Sequence, residues 1–77
     1  MITETDLQHC LQEAFPDGDI ALMDLTGMQD HYRLFISSHQ FKDKPLIAQH
    51  QLVYSALNPL LKSGQLHAVE IKTDTPD

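Results

Sequence analysis

Basic residues are scarce in this 77-residue chain: five Lys and Arg stand against eleven Asp and Glu, for a formal net charge of −6. The five are scattered, as Arg33, Lys42, Lys44, Lys62 and Lys72, so no basic stripe of the kind that tracks a phosphate backbone is present. Tryptophan is missing and cysteine occurs once, as Cys10, which excludes an internal disulfide and suits a reducing compartment. No zinc-type CxxC pair, no phosphate-binding glycine loop and no GXXG occurs. Ser37, Ser38 and Ser55 lack a base and an orienting acid at a recognisable spacing, so an enzyme is not expected. No apolar run approaches the length of a membrane span, and the N-terminus lacks the basic and apolar regions of a signal peptide; a cytoplasmic protein with no membrane partner is expected.

What is present is a short chain with five histidines, all of which would have to be protonated to bring the charge to −1. Its length predicts one domain, residues 1–77, burying only about 60–65% of its unfolded surface. Thr3 is an N-cap candidate, with Asp6 as a weak capping-box partner and Ile2 and Leu7 placed as a hydrophobic staple. Leu7, Cys10, Leu11, Ala14 and Phe15 recur at helical spacing until Pro16, and Asp17-Gly18 turns the chain. Cys10 lies on that apolar stripe and reads as a small core residue.

Ile20 to Leu25 predicts a strand, although its alternation is muddled. Thr26 to Asp30 has the length of a hairpin connection. In the clearer strand from His31 to Ser38, Tyr32, Leu34 and Ile36 line one face. His39 to Lys44 is a connector, and Pro45 suits the first position of a helix. Leu46, His50, Val53, Leu57, Leu60 and Leu61 trace the stripe of that helix, which Pro59 should kink or split near Asn58. Gly64 suits a left-handed cap. A last strand runs from Leu66 to Thr73, followed by a polar tail of Thr75, Pro76 and Asp77. The order predicts an α+β fold, α-β-β-α-β, with a three-stranded mixed sheet packed against helices: an antiparallel hairpin, then a right-handed crossover to a parallel third strand.

Three groups of residues carry a family resemblance. Phe41, Lys44 and Leu46 match an F-x-x-K-x-L connector; His50, Leu52, Val53 and Tyr54 match a histidine followed by L-V-Y; Leu66 to Pro76 matches L-H-A-V-x-I-K-T-x-T-P. In these the chain resembles the BolA family, and the order of elements is similar to that family's type II KH-like fold. The resemblance implies a small partner of monothiol glutaredoxins. The two proteins would share a [2Fe-2S] cluster, held on the other side by a glutaredoxin cysteine and a glutathione thiol. On this side it implies His67, the histidine of the closing signature, and a cysteine or histidine from the loop between the first two strands. That loop has no cysteine and His31 closes it, which resembles the histidine-type, IbaG-like subgroup.

The residues alone leave both histidines open. Without the resemblance the blander reading is favoured for each: His67 shares parity with Val69 and Ile71 and reads as a core-edge residue, and His31 shares parity with Arg33 and reads as solvated. Two imidazoles leave half of a cluster's coordination open, so the isolated chain, as a monomer or weak homodimer, is expected to bind none tightly. His50 reads as a helix-packing residue, and His9 and His39 as surface residues. The alternative is a KH-like regulator binding DNA or RNA through Lys42 and Lys44. Here Lys42-Asp43-Lys44 replaces the glycine usual in the family's connector, and Gln49 replaces the arginine often found before the helical histidine.

Overall fold

The computed structural model describes residues 1–76; Asp77, the end of the expected polar tail, lies outside them. The elements are α1 (Glu4–Ala14), β1 (Asp19–Asp24), β2 (His31–Ser37), a 3-10 turn (His39–Phe41), α2 (Leu46–Ser63) and β3 (Ala68–Asp74). This is the expected α+β order, and the sheet order is β1-β2-β3 with β1 antiparallel and β3 parallel to β2.

The staple and cap at the start of α1 form as the sequence predicts. Thr3 Oγ1 accepts the Asp6 backbone N–H at 3.1 Å, and Ile2 and Leu7 are both buried. Tyr32, Leu34 and Ile36 of the central strand are fully buried against Leu7, Leu11, Phe15, Phe41, Val53, Leu57 and Leu66. Their alternates Arg33 and Phe35 are exposed, so both helices cover one sheet face and leave the other to solvent. The muddled strand β1 resolves the same way: Ile20 and Leu22 pack on the core, and Met23 is exposed. The Tyr32 hydroxyl donates to the Ile2 carbonyl at 2.7 Å, and burial, with Asp24, Glu4 and Asp30 nearby, raises its pKa.

Four local expectations are corrected. Pro45 is the N-cap of α2 rather than its first turn. Pro59 does not split α2, which continues to Ser63; Ser55 and Pro59 are both exposed, so the carbonyl that Pro59 cannot satisfy is open to water. Leu46 does not join the buried stripe: Leu46 and Ile47 are 62% and 70% exposed, while Gln49 of the same turn is the residue that faces β3, through Thr73. Finally, β3 starts at Ala68, not Leu66. Gly64 takes the left-handed cap at φ 81, and the Leu66 N–H still bonds to the Leu60 carbonyl, so Leu66 is buried as part of the helix end.

At the opposite end of β2 from His31, the Asp17 carboxylate accepts the His39 backbone N–H at 2.8 Å and the Ser38 hydroxyl at 3.0 Å. The first of these donors, aided by the second, holds its pKa below the ordinary 3.8. A depressed carboxylate pKa adds stability above the unfolded value, and that contribution is lost as the pH falls through the folded one. Asp17→Asn is therefore expected to lower the urea midpoint at pH 7, with the gap to wild type narrowing as the pH falls below the ordinary carboxylate value of 3.8. A gap independent of pH would contradict this.

Candidate functional site

Parallel pairing of β2 with β3 places the two strand beginnings side by side. His31, the first residue of β2, is in register with Ala68, the first of β3, and His67 immediately precedes it. The Asp30 carbonyl accepts both the His67 N–H, at 2.8 Å, and the Ala68 N–H, at 3.3 Å. The backbone of His67 is thereby clamped to the residue before His31, and the structure brings both histidines to one end of the sheet.

Their side chains differ. The His67 side chain is 66% exposed, which removes the core-edge reading: His67 stands just outside the strand, where the parity of Val69 and Ile71 no longer governs it. Its Nδ1 lies 3.4 Å from Asp30 Oδ2, leaving Nε2 directed away from that carboxylate. His31 is half-buried and shares the outer-face parity of Arg33. In register it shares that face with Ala68, so His67 begins from the opposite parity. Among the described residues no three His, Cys, Asp or Glu side chains are grouped so as to hold a metal ion. An accessible imidazole with one nitrogen free suits a single bond to a borderline metal such as iron, so His67 fits the role of one ligand in a site completed by other groups.

The loop from β1 to β2 is tightly built, and its acids are the residues that sequence reasoning missed. Asp24 accepts backbone N–H groups from Thr26 and Gly27 on Oδ1, at 3.3 and 3.0 Å, and from Gln29 on Oδ2 at 3.2 Å. The Thr26 hydroxyl donates to Asp30 Oδ1 at 2.9 Å and accepts the Met28 N–H at 3.1 Å. The Asp24-Leu25-Thr26-Gly27 string carries a visible turn signal. Nothing local marks Asp30, whose side-chain partner His67 lies just before β3.

The remaining candidates lie elsewhere in the fold. Lys42 and Lys44 are exposed and flank Asp43, which takes a positive φ of 61°, a conformation that glycine adopts more freely than other residues. Gln49 is structural: its amide donates to the Lys44 carbonyl at 2.8 Å, and its oxygen accepts from Thr73, tying the connector to β3. His50 and Cys10 are half-buried, and burial, with Glu13 nearby, raises the Cys10 pKa, which disfavours a reactive thiolate. His9 and His39 are exposed, as expected. No helix of the described residues is long and apolar enough to cross a membrane.

Comparison with known proteins is consistent with this architecture. The model of the family described as BolA-like protein matches residues 7–77. An uncharacterized protein of Rickettsia prowazekii is 44% identical over 72 residues, covering 94% of this chain and 92% of the relative. The solution structure of that BolA-like protein aligns with a TM-score of 0.74 and 42% identity, covering 99% of this chain and 97% of the other. The BolA domain of SufE1 from Arabidopsis thaliana aligns with a TM-score of 0.84 and 28% identity over 99% of this chain and 96% of that domain. A Bol-like protein from Babesia bovis gives a TM-score of 0.84 and 26% identity, over 99% and 87%. With its family model matched from Leu7 to the last residue and a relative aligned along nearly its full length, this chain belongs to the BolA family.

Proposed function

We propose that this chain is a cytoplasmic binding partner of a monothiol glutaredoxin and acts without catalysis. With that partner it shares a [2Fe-2S] cluster for iron–sulfur trafficking or for regulation by iron or stress. His67 supplies one ligand and His31 the other, while the glutaredoxin cysteine and glutathione complete the site. The observation that carries this reading is the accessible His67 imidazole, clamped by its own backbone beside the start of β2, where His31 stands. A histidine closing a loop that contains no cysteine supports the histidine-type, IbaG-like assignment. Histidine in place of thiolate raises the potential of such a cluster, which suits a cargo held between two proteins.

The test is visible absorption and circular dichroism of cluster-loaded monothiol glutaredoxin titrated with the chain. A new spectrum that saturates at a fixed ratio is the expected result; the unaltered glutaredoxin spectrum at every ratio overturns the proposal. Nucleic-acid binding through Lys42 and Lys44 has less support, because an acidic residue separates the two lysines and the net charge is −6.

A further inference from the structure

We infer that Asp30 is a positioning residue for His67: its carboxylate keeps the imidazole proton on Nδ1 and so presents Nε2 outward as the binding atom. The inference rests on the cluster-sharing reading for what Nε2 binds, but not for the geometry itself.

Asp30 reaches His67 from two directions. Its carbonyl accepts the His67 and Ala68 N–H groups at 2.8 and 3.3 Å, which fixes the origin of the histidine side chain relative to the aspartate. Its carboxylate then meets the ring, with Oδ2 3.4 Å from Nδ1. That carboxylate is itself restrained: Oδ1 accepts the Thr26 hydroxyl at 2.9 Å, and the Thr26 N–H is held by Asp24 at 3.3 Å. The Asp30 side chain is only 23% exposed, so water competes for it far less than for the ring it faces.

An exposed imidazole without such a neighbour is free to rotate and to carry its proton on either nitrogen; the group facing one nitrogen decides which remains open. A carboxylate behind a ligand histidine orients the ring and selects the tautomer. The chain Asp24, Thr26, Asp30, His67 therefore converts the turn between β1 and β2 into a support for a residue on the far side of the sequence. It also accounts for the close hydrogen bonding of a loop that packs few apolar side chains.

The experiment uses the full chain labelled with nitrogen-15 and long-range proton–nitrogen correlation of the His67 ring, at a pH where the ring is neutral. Wild type is expected to show the Nδ1–H tautomer. Asp30→Asn keeps an oxygen for Thr26 but offers an N–H to the ring, and is expected to switch His67 to the Nε2–H tautomer. Thr26→Val loosens the carboxylate without touching the histidine and should give a mixture. In the glutaredoxin titration, Asp30→Asn should need roughly tenfold more chain for the same conversion, the low end of the effect of losing an outer partner. An unchanged tautomer in both variants, with backbone amide spectra showing an intact fold, overturns the inference. If Asp30→Asn does not fold, Thr26→Val decides. If wild type produces no new cluster spectrum, the functional proposal falls, while the tautomer measurement still decides the role of Asp30.

Discussion

Leu34→Ala is expected to lower the unfolding free energy by about 3–4 kcal/mol, the usual range for emptying a fully buried leucine site. Leu34 is 0% exposed at the middle of the central strand. It stands in register between Leu22 on β1 and Ile71 on β3, a row of three apolar side chains across the sheet. The row lies against helix residues of the same core, which are held by their own caps and cannot collapse far into the gap. A domain of this length has roughly 4–12 kcal/mol of stability in all, so the substitution removes a large share of it. The midpoint of thermal unfolding should fall by roughly 12–30 °C. Arg33→Ala, one residue earlier and on the open face, is the control. Its contact with Glu70 is 3.6 Å long and both side chains are about half exposed, so the expected loss is about 0–1 kcal/mol. Equal effects of the two substitutions would mean that the helices do not cover the face assigned to them.

His67→Ala is expected to abolish the mixed cluster spectrum while leaving the fold intact. The ring is 66% exposed, so its removal should change stability by no more than about 0.5 kcal/mol. Loss of a ligand should cost more than the roughly 10–100-fold attached to loss of an outer partner, which takes the titration beyond its accessible range. His31→Ala is expected to weaken and shift the spectrum rather than remove it. His31 is half-buried on the other parity, and no side-chain hydrogen bond of the described residues orients its ring. If the two variants behave alike, the asymmetry drawn between the histidines is wrong. If His67→Ala saturates like wild type, His67 is not a ligand.

Much of the architecture was legible along the chain. Thr3, Gly64 and the Tyr32-Leu34-Ile36 alternation each carry their signal within a few residues, and each forms as read. The errors fall where the local pattern is ambiguous. Leu46 satisfies helical periodicity, yet periodicity does not say whether a neighbouring element covers that position, and none covers it or Ile47. Leu66 looks like the first residue of a strand because it is apolar and precedes the alternation. It is claimed instead by the Leu60 carbonyl, and this leaves His67 outside the strand and open to solvent.

The order of elements, the buried face of β2, the family and the two histidines worth testing are all readable along the chain. These depend on neighbours along the chain and on a signature that stands intact from Leu66 to Pro76. The exposure of His67, the place of Asp30 behind it, and the support that Asp24 and Thr26 give Asp30 emerge only once the chain is folded. The reason is that Asp30 and His67 belong to segments joined by the whole of β2 and α2. Their meeting depends on the parallel register of β2 with β3, and that register is set by burial of Val69 and Ile71 beside Tyr32 and Leu34 rather than by any residue near either partner.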